Sequence, residues 1–193
     1  MLNIKKLAIG LSAGAIMLAA SALTVFAAFS LFGDASIVGG GNPGNAAQIR
    51  SDATIPPSFG AVSFNLLAGT TIASLTTLST DLNVTDDDCG GGSPRFQIRI
   101  DFDSDGVVSA GDKNVHVYLG PSPNYIGCTP NTWVSSGNLV TDPNPRWDTG
   151  QVGGTFYDTY ANASALTAGL NILRISLVVD SSWMFGDGEQ TVL

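Results

Sequence analysis

Three well-separated stretches of this chain alternate apolar and polar residues with period two. In Arg95–Phe102, Phe96, Ile98, Ile100 and Phe102 alternate with Arg95, Gln97, Arg99 and Asp101. Asn114–Leu119 sets Val115, Val117 and Leu119 against His116 and Tyr118, and Ile172–Asp180 sets Leu173, Ile175, Leu177 and Val179 against Arg174 and Ser176. Period two with one apolar face marks a half-buried strand. Weaker strand patterns occupy Ala35–Val38, Ala61–Phe64, Thr71–Leu78 and Leu139–Thr141, and only Asp158–Ala168 reads as a helix, ended by Gly169. The 23 glycines, with many Ser, Thr, Asn and Asp between short apolar runs, supply turns rather than helices. Strands without alternating helices pack as antiparallel sheets. The expected fold is therefore an all-β, jelly-roll-like sandwich with at most one short helix.

The chain begins with a different kind of segment. Lys5 and Lys6 precede an uncharged run from Leu7 to Phe32, and small residues follow its apolar centre. A basic start, an apolar stretch and small residues make a secretory signal, with Ala22, Ala27 and Ala28 as cleavage points. The run is also long enough to span a bilayer as an uncleaved anchor helix. Both readings place the remainder outside the cytoplasm, secreted or in the cell envelope. The expected organisation is a signal peptide or anchor at 1–28, a Gly-rich connector at 29–44, with Gly39 to Gly44 as a loop, and a sandwich domain at 45–193. Gln190–Leu193 starts a β-like run at the chain's end, so a last strand is expected to be missing, to be supplied by further sequence or by a partner chain.

Charge narrows the partners. The formal charge is −8; without Lys5 and Lys6, six basic residues face 16 acidic ones. Nucleic-acid binding needs clustered Lys and Arg, and anionic lipid needs a polybasic patch. Nucleic acid is excluded, and membrane contact is left only to the N-terminal segment. Cys89 and Cys128 are the two cysteines. In an oxidising compartment they are expected to pair. A metal or catalytic role has less behind it, since there is no C-x-x-C and the single histidine, His116, lies in a strand pattern.

The run Asp101-Phe102-Asp103-Ser104-Asp105-Gly106-Val107-Val108-Ser109-Ala110-Gly111-Asp112 fits D-x-D-x-D-G with a carboxylate at the twelfth position. Alternating carboxylates converge on one hard cation, and the glycine allows the sharp turn between them. Calcium is the expected cofactor, with Asp101, Asp103, Asp105 and Asp112 as side-chain ligands, Val107 through its carbonyl, and Ser109 directly or through water. The competing reading is a hairpin loop in which Asp and Gly only make turns. These twelve residues resemble the calcium loops of dockerins and EF-hand-like repeats, but strands flank this loop in place of helices and there is one loop, not two. A second acidic run, Asp86-Asp87-Asp88, reads mainly as a solvated loop.

Trp133, Trp147 and Trp183 fall in turn-rich segments near Tyr125, Tyr157 and Tyr160. There they would stack on sugar rings as ligand-binding residues, or else cap the open ends of a sandwich. Catalytic motifs such as G-x-S-x-G and H-E-x-x-H are absent. Asp148 with Asp158 is the one carboxylate pair kept for a glycoside hydrolase. The stretches Gly91-Gly92-Ser93-Pro94-Arg95-Phe96-Gln97-Ile98, Val117-Tyr118-Leu119-Gly120-Pro121, Trp133, Gly137-Asn138-Leu139, Leu177-Val178-Val179-Asp180-Ser181 and Gln190-Thr191-Val192-Leu193 resemble an uncharacterised domain of exported bacterial proteins. That resemblance covers most of 34–193 and implies a jelly-roll-like sandwich with no established activity. Phe26-Ala27-Ala28-Phe29-Ser30 resembles the start of mature camelysin-like fibre proteins. The expected function is a non-catalytic binding or adhesion module, stabilised by calcium and directed at an extracellular polymer such as a carbohydrate or at a surface protein. The alternative is a self-associating subunit of a surface layer or fibre that exchanges strands.

Overall fold

The computed structural model describes residues 29–193; the signal or anchor segment lies outside the described residues. The strands are β1 (Phe29–Gly33), β2 (Ala35–Gly41), β3 (Gly44–Asp52), β4 (Gly60–Phe64), β5 (Asp81–Leu82) and β6 (Val84–Asp86). They continue with β7 (Arg95–Ile100), β8 (Lys113–Tyr118), β9 (Val134–Ser135) and β10 (Trp147–Asp148). Helix α1 (Tyr160–Leu166) then precedes β11 (Ile172–Val179) and β12 (Glu189–Val192). A six-stranded sheet runs β1-β4-β11-β7-β8-β10, a four-stranded sheet runs β2-β3-β12-β6, and β5 pairs with β9. All pairings are antiparallel.

The core lies between the two larger sheets. Phe96, Ile98 and Ile100 of β7 and Val115 and Val117 of β8 meet Ile49 of β3, Val84 of β6 and Val192 of β12 in one apolar cluster. These are the apolar positions of the period-two pattern, as a face turned from water requires. β11 departs from the expected alternation. A register shift against β7 falls between Ile172 and Arg174, so Ile172 joins the core while Leu173 stays half-exposed. A bulge adds one residue to one strand and so changes which side chains face inward. Phe102 also leaves the core face, because β7 ends at Ile100; its ring is 43% exposed.

Three expectations are corrected at the level of elements. The segment 29–44 is not a connector: β1 and β2 form the outer edges of the two sheets, and Gly39–Gly41 continues β2 against β3. The Gly-rich stretch lacked side-chain periodicity, yet backbone pairing does not need it. The C-terminal run is itself a strand, β12, which lies between β3 and β6, and Leu193 exchanges both backbone bonds with Asn83. Thr71–Leu78 is not a strand but holds a short 3-10 turn, Ile72–Ser74, closed by reciprocal Thr71 and Ser74 capping bonds. Leu139–Thr141 is a turn that buries Leu139 completely. The helix forms where expected, capped by the Thr159 hydroxyl accepting from the Asn162 N–H.

Candidate functional site

The loop between β7 and β8 draws its acidic side chains together. One carboxylate oxygen from each of Asp101, Asp103, Asp105 and Asp112 lies within 4.8 Å of the others. Calcium–oxygen distances of about 2.4 Å place ligands on opposite sides of an ion about that far apart. The ends of the loop are anchored in the fold, with Asp101 and Asp112 buried, whereas Asp103 and Asp105 project into solvent.

Local hydrogen bonds shape the turn. The Gly106 N–H donates to Asp101 Oδ1 at 3.3 Å, the Val107 N–H to Asp105 Oδ1 at 2.9 Å, and the Ser109 N–H to Asp112 Oδ2 at 2.7 Å. The Ser109 hydroxyl donates to Asp103 Oδ2 at 2.9 Å. Gly106 has φ of +75°, a left-handed conformation that glycine adopts without penalty. At Gly111 the constraint is space: a Cβ would lie 1.9 Å from Asp103 Oδ2. The side-chain set fits a hard divalent cation. Among the described residues the one cation ion-paired with these carboxylates is Arg99, whose Nε lies 3.5 Å from Asp112 Oδ2; the Lys113 ammonium stands over the neighbouring Phe102 ring, 5.9 Å from its centroid. Its Nη2 donates to the Ser109 carbonyl at 2.6 Å, which directs that carbonyl toward the guanidinium. Four like charges in so small a volume repel unless a counter-charge joins them.

Cys89 and Cys128 are joined, with their Cα atoms 5.3 Å apart. Asp88 supports the joint by accepting from the Cys89 N–H at 2.6 Å and the Cys128 N–H at 2.5 Å with one oxygen. That role was hidden in the Asp86-Asp87-Asp88 run. The neighbouring Asp87 meets Asp187 instead; burial, then the hydrogen bond and charge of Asp187, push its carboxyl up to about 6.

The three tryptophans separate. Trp147 is fully buried, packs edge-on against Tyr160 with ring centroids 5.4 Å apart, and points its indole N–H at the Leu139 carbonyl. It is a core residue and not a ligand contact. The turn-rich sequence around it concealed that β10 pairs beside β8, with Trp147 opposite Val117. Trp133 is half-buried and lines a hollow of about 470 Å³ with Phe29, Phe64 and Asp81. Trp183 is 69% exposed and borders a smaller hollow with His116, Tyr118 and Phe156. Tyr125 is buried beneath the Arg146 guanidinium, 5.0 Å from its ring centroid.

Asp148 and Asp158 differ in setting. Asp148 Oδ2 accepts from the Tyr118 hydroxyl at 2.9 Å. Asp158 is buried and accepts from the Thr149 hydroxyl, the Asn162 amide and the Thr159 N–H at 2.5 to 2.7 Å. Burial alone would raise its pKa; these bonds outweigh burial and hold it below the ordinary value. Such a carboxylate ties the turn at Thr149 to the start of α1, and is poorly suited to carry a proton. Sequence reasoning missed Arg99 and Asp88: the reach of Arg99 to the Ser109 carbonyl depends on how β7 and β8 pair, and the bond of Asp88 to Cys128 spans 40 positions. The chain matches no protein-family model, no curated protein and no solved structure.

Proposed function

We propose that this chain is a non-catalytic, exported or cell-surface binding module, built on a jelly-roll-like sandwich and stabilised by calcium in the Asp101–Asp112 loop. The convergence of four carboxylates within 4.8 Å against a single arginine carries the calcium reading. Asp101, Asp103, Asp105 and Asp112 hold the ion, and the Ser109 hydroxyl orients Asp103. When bound, calcium supplies the missing positive charge and ties the end of β7 to the start of β8. Export is supported by the basic-apolar start of the chain and by the joined cysteines. A non-catalytic role is supported by the single histidine and by the saturated carboxylate of Asp158. Adding calcium to chelator-treated protein should raise the thermal midpoint, since a ligand bound only by the folded state stabilises it. An Asp103→Ala, Asp105→Ala double variant that responds as strongly as the parent would sink the assignment.

One observation favours a second reading, a subunit of a surface layer or fibre. β1 and β2 run consecutively along the open edges of both sheets, and neither strand carries a charged residue or a proline. Uncharged edges recruit further strands. Concentration-dependent association in light scattering, abolished by Phe29→Lys with Ser36→Lys, would support it; a monomer at every concentration would remove it.

A further inference from the structure

The outward side of the six-stranded sheet carries an unbroken row of polar residues. Ser30 pairs with Ser63, Ser63 with Ser176, Ser176 with Gln97, Gln97 with His116, and His116 with Asp148. The row takes one residue from each of six strands. Their strand neighbours, such as Val62, Leu177, Phe96, Val117 and Trp147, belong to the core, so the pleat turns the row outward. Strands spaced by about 4.8 Å give six positions a span of roughly 24 Å.

Two hollows lie along this face. One, of about 520 Å³, is lined by Phe32, Phe59, Ser63, Gln97 and Ser176; the other, of about 270 Å³, lies between Arg95, His116, Tyr118, Phe156 and Trp183. Asp180 borders both, so they are two ends of one trough. Exposed aromatic rings stand at each end: Phe32 and Phe59 at 42% and 41%, Phe156 and Trp183 at 60% and 69%. On the floor, Ser63 and Ser176 are buried and their hydroxyls meet at 2.6 Å, each satisfying the other.

The charges at the centre of the trough are spent internally. Asp180 takes both Nη atoms of Arg95 at 2.6 Å. Burial, and then the charge of Arg95, hold His116 below its ordinary pKa, which keeps its ring neutral and able both to donate and to accept. Beyond that pair, Asp148 Oδ2 lies 3.5 Å from His116 Nδ1, and the Arg174 guanidinium sits over the Phe32 ring, 5.8 Å from its centroid. The surface thus offers hydroxyl, amide and imidazole groups along a line, with rings at its ends. An extended peptide would add to a strand edge instead, and the net charge of −8 repels polyanions. The occupant that matches is a long, uncharged, hydroxyl-rich chain with flat apolar ring faces.

We propose that this trough binds a neutral polysaccharide laid across the strands. Trp183 and Phe156 stack on sugar rings at one end and Phe59 at the other, while Gln97 and His116 bond the hydroxyls between them. The proposal rests on the reading of the chain as a binding module, but it requires no calcium. Its test is affinity electrophoresis of the full exported chain in gels holding mixed-linkage β-glucan, xylan, galactomannan or amylose, with polygalacturonate as the anionic control. Retardation is expected with at least one neutral polymer and not with polygalacturonate. Trp183→Ala should weaken that affinity roughly tenfold or more, as loss of a large aromatic anchor does, and Gln97→Ala should weaken it less. Both sites are at the surface, and an unchanged thermal midpoint will show that the variants fold. Retardation by none of the neutral polymers, stronger retardation by polygalacturonate, or affinity untouched by both variants overturns the proposal. Failure of the calcium reading shows itself separately, in a thermal midpoint that calcium does not move.

Discussion

The acidic loop takes its four carboxylates from twelve consecutive residues, whereas the trough takes one residue from each of six strands between Ser30 and Asp148. The loop's geometry follows from short-range hydrogen bonds that span two to ten positions in the chain. It would survive a slip in sheet register. The trough would not, because a one-residue slip of β11 replaces Ser176 with Ile175 or Leu177 on the outer face. A contiguous site is robust and readable; a site assembled across a sheet is only as well defined as every pairing beneath it. Arg99 joins the two, facing outward from β7 while its guanidinium holds the Ser109 carbonyl.

The largest effect should come from the disulfide. Cys89→Ser with Cys128→Ser opens a loop spanning 39 positions, which chain entropy values at about 4 kcal/mol, measurable by urea denaturation. Gly91 and Gly92, which line the Trp183 end of the trough, follow Cys89 closely. Polysaccharide affinity should therefore fall while the calcium response persists. Equal loss of both would show that the two regions share one support.

Next in size is the loop itself. Asp103→Ala with Asp105→Ala should abolish the calcium-dependent rise in thermal midpoint, worth about 2.7 kcal/mol at a hundredfold excess over Kd. Polysaccharide retardation should stay within about twofold, as expected for separated sites that add independently. A large drop there would mean that Arg99 transmits the state of the loop to the sheet.

The smallest effect concerns Asp87, in an acidic cluster used by neither region. Its carboxyl is raised to about 6, above its value in the unfolded chain, so the folded state holds the proton more tightly. Stability therefore falls as pH rises from about 4 to 6, and the cost remains above 6. Asp87→Asn should flatten that slope in pH-dependent thermal melts and raise the midpoint at pH 7.5, with calcium response and retardation unchanged. A midpoint that drops at pH 7.5 would show that the carboxylate is needed.

Patterns confined to one segment were legible. β7 and β8 followed from alternation, the end of α1 from its closing glycine, and the acidic cluster from the D-x-D-x-D-G spacing. Trp147 was misplaced because its burial depends on β10 lying beside β8, and no neighbour in the chain records that. Gly39–Gly41 became strand because β3 pairs with its backbone, leaving Asn42 and Pro43 as the turn, and Leu173 left the core because a bulge shifts β11. Chain-local chemistry, meaning side-chain period, turn residues, acid spacing and cysteine number, is written in the sequence, since its interactions reach only a few positions. The row from Ser30 to Asp148, the placement of β12 and the sharing of Asp180 between two hollows were decided by tertiary structure alone, because strand register and sheet order bring together residues more than a hundred positions apart.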